Sequence, residues 1–322
     1  MLSLNEESMG RWGLYGKFVG YGRFDTFRLS VCMIWSRPLF SRLPLLLVIG
    51  EDYLVAFLAG LVQGIVEWLP VSSQGNLALF LTLVGTSPDI ALQLALFIQI
   101  GTTLSATIYY WEDISEAFRA LPSWRPATAF EGPNAITTFV VVASLATGVI
   151  GIPLFLFAVD AVSELAGGLF VALIGVLLII TGIVQKASEQ VELGGRTEPT
   201  MLDAMIVGAF QGLTILPGVS RSGTTVSVLL FRSLEGAAAL RLSFLLSIPA
   251  SLAAGALTML RSGGLPGVTP LGALIALSTA AVVGFATIHL LMRVVKQIPF
   301  WLVCFGLGGL AVAGGLLMYW AM

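Results

Sequence analysis

The stretch LVQGIVEWLPVSSQGN, Leu61 to Asn76, decides how the rest of the chain is read. An apolar helical run passes a Gln-Gly pair (Gln63-Gly64) and breaks at Pro70. It then enters a Ser/Gly-rich turn, after which a second apolar run begins. GAFQGLTILPGVSRSGTT, Gly208 to Thr225, repeats the pattern with Gln211-Gly212 and Pro217. The two Gln-Gly pairs lie about 148 positions apart, roughly half the chain. A polar turn between apolar half-helices is costly in lipid unless it faces protein or a water-filled cavity. Two such turns in corresponding halves point to a membrane site built from internal repeats.

Composition agrees. Apolar residues make up 57% of the 322 residues and charged residues 11%. Mean hydropathy is +0.95. Soluble domains carry roughly 25% charged residues, so this is a polytopic membrane protein. Two cysteines, Cys32 and Cys304, exclude a disulfide framework. Cys304 sits in an apolar run and reads as a small packing residue.

Outward from the two turns, the chain divides into spans. Tyr53 to Leu69 is short for a crossing, which needs about 20 residues, and Leu77 to Val84 is shorter still. Together they read as a re-entrant hairpin with Pro70 to Asn76 at its tip. Spans are predicted at about Ile90–Trp111, Ile136–Val159 and Val162–Val184, followed by a polar loop from Gln185 to Pro199. A second hairpin, Met201–Leu216 with Ser222–Leu234, precedes spans at about Leu242–Leu260, Leu271–Met292 and Phe300–Trp320. The predicted fold is an all-α integral membrane protein. Residues 48–322 form one membrane domain of two repeats, about 53–184 and 200–321. One hairpin plus three spans makes an odd number of crossings, so the second repeat is expected upside down relative to the first.

The charges orient this arrangement. Arg119, Arg125, Lys186, Arg196, Arg232, Arg241, Arg293 and Lys296 fall on one side, and Arg261 on the other. The positive-inside rule makes the first side cytoplasmic and puts the first hairpin on the outer side. Residues 1–47 stand apart. They hold six of the sixteen basic residues and no clean apolar span, and the topology puts those charges outside. We read this segment as a leader that does not belong to the mature protein. N-terminal sequencing of the native protein is expected to find a start well after Met1.

The polar residues at the two turns carry the chemistry. Glu67 lies four residues after Gln63 within the apolar half-helix, so the two share a helix face. A carboxylate at this depth is expensive and usually functional, as a proton shuttle or a metal ligand. Ser72 and Ser73 follow Pro70. One is expected to cap the next helix, leaving the other as nucleophile or phosphate donor. Ser220, Arg221, Ser222 and Thr225 surround a helix start, where free N–H groups and the positive end of the dipole attract anions. Arg221 adds a permanent charge with a fork matched to phosphate oxygens. Its partner is a substrate phosphate or Glu67 of the other hairpin. His289, the sole histidine, lies far in sequence from both turns and reads as a packing or interfacial residue. Phosphatases built on paired histidines are therefore excluded.

At these residues the sequence resembles the undecaprenyl-diphosphate phosphatase family, integral-membrane enzymes linked to bacitracin resistance. QGIVEWLPVSSQGNL, residues 63–77, is similar to the family's first motif, a Glu/Gln-rich helix leading to a Pro-x-Ser-Ser turn. PGVSRSGTT, residues 217–225, matches the second motif at every fixed position. FIQIGTTLSA (97–106) and LSFLLSIPASLAAG (242–255) also look like family segments. The resemblance covers residue 50 or so to the end. It implies hydrolysis of a polyprenyl diphosphate to the monophosphate and phosphate, recycling the lipid carrier for envelope glycan synthesis. It also implies a divalent cation such as Mg²⁺, with Glu67 as its ligand. By motif, Glu67 matches the essential acid and Ser73 the first-turn serine. Ser220, Arg221 and Thr225 match the second-turn phosphate binders. Gln63 and Asn76 stand where the family commonly has Glu and His.

The expected catalytic residues are thus Glu67, Ser73 and Arg221. Gln63, Ser72, Asn76, Ser220, Ser222 and Thr225 are expected to bind substrate. The expected partners are the polyprenyl diphosphate lipid and the membrane, with no nucleic acid, and a second copy in a homodimer. Localisation is expected in the cell membrane, with the site opening to the outer side. The alternative is a transporter of a polyprenyl phosphate or small anion that does not hydrolyse it, since opposed hairpins also build transporters.

Overall fold

The computed structural model describes residues 45–165, 167–190, 195–294 and 299–321. The basic leader, apart from its last residues, and Lys296 lie outside the described residues. The described chain is helical: α1 (Leu45–Val66), α2 (Ser73–Leu83), α3 (Pro88–Tyr109), α4 (Trp111–Ala120), α5 (Pro133–Ser163) and α6 (Gly167–Glu189). Then follow α7 (Met201–Leu213), α8 (Arg221–Phe231), α9 (Gly236–Ser262), α10 (Pro270–Val294) and α11 (Phe300–Ala321). Six of these, α3, α5, α6, α9, α10 and α11, are long and apolar enough to cross a membrane. They correspond to the six predicted spans, the third shifted from Val162–Val184 to Gly167–Glu189 because α5 continues to Ser163. The protein is an all-α integral membrane protein.

Burial sorts the spans. In α3, 78% of the apolar window is buried, against 22% in α5. α3 is therefore the central post, and α5 turns Leu145, Val149 and Phe157 outward. Such faces suit lipid, because an α-helix satisfies its backbone internally. The main apolar core gathers α1, α2 and α3 with Phe155, Phe170, Ile174 and Leu178.

Small residues let the helices approach. Gly168 and Gly175 of α6 face the backbone carbonyls of Gly315 and Gly308 of α11, where a methyl group would sit within 2.6 Å of either oxygen. Without a hydrophobic drive between helices in lipid, such seams supply close van der Waals packing. The same device docks both hairpins. In α1, Gly60 and Gly64 lie against Ala276 and Val283 of α10. In α7, Gly208 and Gly212 lie against Ala143 and Ile150 of α5. Each hairpin thus carries a Gly-x-x-Gln-Gly stretch whose two glycines occupy successive turns of one face.

Several boundaries differ from expectation. α1 ends at Val66, so Glu67 lies in the turn beyond the helix, not within it. The turn still holds the face, because Glu67 N–H donates to Gln63 C=O at 3.0 Å. Gln185 is not loop: α6 continues to Glu189 and buries it. The span pattern does not predict α4. It is strongly amphipathic, buries no residue, and leaves Trp111 and Phe118 exposed. Aromatic residues at a span end suit the headgroup level.

The mouth of the second hairpin is tied by charge. Arg196 and Arg232 both hold Asp203, at 3.0 and 2.7 Å, and Thr200 closes a capping box with it. Burial alone pushes the Asp203 carboxyl up. The hydrogen bonds from Arg196, Arg232 and Thr200 outweigh that and hold it below the usual carboxylate range. Arg241 at the start of α9 pairs with Asp113 of α4. Arg261, near its end, pairs with Asp160 of α5.

Candidate active site

The two hairpin tips touch. Ser72 is the N-cap of α2 and Ser220 the N-cap of α8, and each side-chain oxygen accepts from the glycine N–H three residues on. Ser72 also accepts from Gly218 N–H at 3.2 Å, and Gln74 donates to Ile215 C=O at 2.8 Å. A side chain on Gly75 would place its first carbon 2.7 Å from Gly218 N, which is why glycine stands there. Gly218 itself has φ +104°, a conformation glycine adopts at no steric cost.

This contact brings Arg221 to Glu67. The guanidinium of Arg221 is hydrogen-bonded to Glu67 Oε1 and to Ser251 Oγ. Glu67 Oε2 accepts from Gln63 Nε2 and from Ser73 Oγ, both at 2.6 Å. Glu67 is 6% exposed, so its charge is compensated by three donors. Ser251 in turn lies 3.5 Å from Gln99 Oε1. A continuous polar chain therefore runs Gln99–Ser251–Arg221–Glu67–Ser73.

A cavity of about 70 Å³ opens over this chain, with Glu67, Ser73, Gln99, Gln211, Ser220 and Arg221 in its wall. Ser72 and Ser222 line it too. Of the predicted residues, Gln63, Asn76 and Thr225 do not line the cavity. Gln63 steadies Glu67. Asn76 donates to the carbonyls of Val71 and Ser72, bracing the turn. Thr225 is fully buried and bonded to Ser243 at 2.5 Å. His289 is exposed and edges Tyr109, away from the cavity.

The serines divide their work. Ser72 spends its oxygen on two backbone N–H groups, whereas Ser73 gives its proton to a carboxylate. A hydroxyl donating to a buried carboxylate is the arrangement of an activated nucleophile and its base. At α8, Thr224 is the first residue whose N–H reaches an acceptor four residues back, Ser220 C=O. The N–H groups of Arg221 and Ser222 have no intrahelical acceptor and head the positive end of the dipole.

The donor set also bears on metals. Among the described residues, no group of three or more Asp, Glu, His or Cys could hold an ion. Mg²⁺ is commonly held by one or two carboxylates together with substrate phosphates. Glu67 alone fits a cation that arrives on a phosphate, not a resident one.

Sequence reasoning gave no role at the site to Gln99, Gln211, Thr147, Ser247 and Ser251. The signal was available for α9: Ser243, Ser247 and Ser251 recur every fourth residue of an apolar helix and so share one face.

A family profile described as bacitracin resistance protein BacA matches residues 56–310, which is most of the chain. The chain belongs to that family. The BacA match takes in both hairpin tips, the second hairpin whole, and the six long helices except the second half of α11; the first half of α1 precedes it. A Haloarcula marismortui protein named undecaprenyl-diphosphatase is 51% identical over 268 residues, 82% of this chain and 98% of that protein. Proteins of the same name from Methanococcoides burtonii and Methanopyrus kandleri are 38% and 36% identical, over 80% of this chain and 96% and 94% of theirs. The BacA match begins at Ala56, so the basic leader lies wholly outside it.

Proposed function

We propose that this protein is a membrane phosphatase that hydrolyses a polyprenyl diphosphate, undecaprenyl or related, to the monophosphate and phosphate. The observation that carries this is the meeting of Ser73, Glu67 and Arg221 on one cavity wall. The relatives named above all carry the hydrolase's name, so transport without hydrolysis is not favoured.

The chemistry follows from the contacts. The diphosphate is an anion entering a site whose only cation among the described residues of the cavity wall, Arg221, is held by Glu67. Phosphate oxygens compete for that guanidinium and for the N–H groups opening α8. As Arg221 turns to the phosphate, Glu67 loses a neutralising partner and becomes the base for Ser73. Ser73 Oγ attacks the terminal phosphorus, its proton passes to Glu67, and the bridging P–O bond breaks to release polyprenyl monophosphate. Water then attacks the phosphoserine, returning Ser73 and releasing phosphate. Arg221 and the α8 N–H groups stabilise the charge on the equatorial oxygens throughout. A divalent cation bound through the diphosphate and Glu67 would neutralise further phosphate charge.

The lipid carrier requires a membrane site, and the two repeats supply it as an inverted pair. Support comes from the tips meeting while the mouths diverge: Asp52 and Val84 share a cavity wall with Val268, whereas Asp203 binds Arg232. The basic end then faces the cytoplasm of the cell membrane and the site opens outward. A cysteine introduced at Ser262 should react with an impermeant thiol reagent added to intact cells. Protection there with reaction only after lysis would reverse the orientation.

The test is phosphate release from a C55 polyprenyl diphosphate by the detergent-purified protein, beside Glu67→Gln. Turnover that depends on Glu67 is expected. Lipid binding without turnover in the parent protein would refute the phosphatase.

A further inference from the structure

The two hairpins carry matching glutamines in unmatched surroundings. Gln63 and Gln211 hold the same place in GLVQG (60–64) and GAFQG (208–212). Both are buried, at 0% and 2% exposure. Each amide nitrogen lies 3.4 Å from a threonine hydroxyl, Thr102 for Gln63 and Thr147 for Gln211. Among the described residues, both side-chain oxygens are buried without a hydrogen-bond partner. The difference lies one turn on. Gln63 also donates to Glu67, whereas the corresponding residue after Gln211 is Ile215. Among the described residues, no carboxylate claims the second amide. Gln211, unlike Gln63, lines the cavity, with Thr147 beside it.

The orientation of the Gln211 amide is set by Thr147. That hydroxyl is 2.7 Å from Ala143 C=O and 3.0 Å from Gly208 C=O. Its single proton goes to a carbonyl, so toward Gln211 it can only accept. Nε2 must therefore face Thr147, and Oε1 must face away. Oε1 is thus an acceptor fixed by Thr147 on a residue of the cavity wall, where Arg221 and the serine hydroxyls can donate and Glu67 and Gln99 are the other acceptors. A buried acceptor left unpaired is costly and calls for an explanation. A bare phosphate oxygen has nothing to give it. An O–H does.

We propose that Gln211 is a positioning residue of this site whose Oε1 accepts from an O–H in the cavity. The donor is the hydroxyl of a monoprotonated phosphate, or the water that releases phosphate from the enzyme. This rests on the phosphatase assigned above. It explains why the second hairpin keeps a buried glutamine with no carboxylate to steady.

The test compares Gln211→Leu with the parent protein, full-length in detergent, by kcat, KM, inhibition by inorganic phosphate, and melting temperature. Leucine removes an unpaired polar atom, so melting should not fall. kcat/KM should fall about tenfold. A loss in KM with weaker phosphate inhibition identifies the phosphate hydroxyl. A loss in kcat with phosphate inhibition unchanged identifies the water. Activity within about twofold of the parent overturns the proposal, and so does a loss accompanied by lower melting, which marks a packing role. If the parent itself shows no turnover, the phosphatase fails separately. Binding of inorganic pyrophosphate then carries the comparison, with weaker binding by Gln211→Leu supporting the proposal and equal affinities overturning it.

Discussion

Arg221 and Glu67, 154 residues apart in the chain, pair across the tips of two hairpins that belong to different halves of the protein. Glu67 is almost fully buried, and the Arg221 side chain is 19% exposed. Removing either leaves the other as an uncompensated charge at a place shielded from water. The pair therefore joins the halves as well as preparing the site.

Replacing Arg221 by Ala should cost at least about a hundredfold in kcat/KM, the scale of losing a charge aimed at a phosphoryl group. Arg221→Lys should recover only part of this, because an ammonium lacks the fork that spans Glu67 and Ser251. A steady-state assay decides it, and near-normal turnover by the Ala variant would remove Arg221 from the mechanism.

Ser72 and Ser73 should separate cleanly. Ser73→Ala should abolish the trapping of radiolabelled phosphate on the protein and most turnover, with melting little changed. Ser72→Ala should melt lower by about 1 kcal/mol or more, since two backbone N–H groups lose their acceptor. Phosphoserine trapped in Ser73→Ala at the parent level would sink the assignment.

Gly218→Ala should be strongly destabilising, by about 2 kcal/mol or more, and should lose activity with it. Its φ of +104° strains any side chain, and the added carbon would meet Ile174 C=O at 2.6 Å. Thermal unfolding in detergent reads the effect. A variant as stable as the parent would mean that the tips do not meet as described.

Asp203 should make stability depend on acid. Its folded pKa lies below the ordinary value, so the carboxylate stabilises the fold above about pH 4 and stops doing so as pH falls through the folded pKa. Asp203→Asn should melt lower than the parent at pH 7, and the gap should close in acid. A gap unchanged at pH 3 would contradict the link.

Chelation should affect turnover without affecting the resting protein. EDTA should slow hydrolysis, because the cation proposed above would ride on the diphosphate. It should leave the melting temperature of the lipid-free protein unchanged, because Glu67 alone builds no cage. A fall in melting with EDTA would reveal a resident ion.

Much of this protein was legible in its sequence. Long apolar runs in lipid have one economical solution, the helix, so the six spans followed from length and hydropathy. The two Pro-broken turns announced themselves because polar residues inside apolar runs need a protein or aqueous neighbour. That reasoning singled out Glu67, the Ser72-Ser73 pair and Arg221 before any contact was known, and the family resemblance chose Ser73 of the pair. It could not say that Ser72 would cap and Ser73 would face Glu67, since adjacent serines differ only in where the turn points them. Nor could it choose between phosphate and Glu67 as the partner of Arg221, because residues 154 apart meet only through packing. Gln211 was visible as half of a repeated pair, but its free oxygen depends on Thr147 of another helix. Local pattern determined the elements and the chemical types. Only the close, glycine-mediated docking of α1 on α10 and α7 on α5 decided which polar groups were satisfied by protein and which were left without a partner.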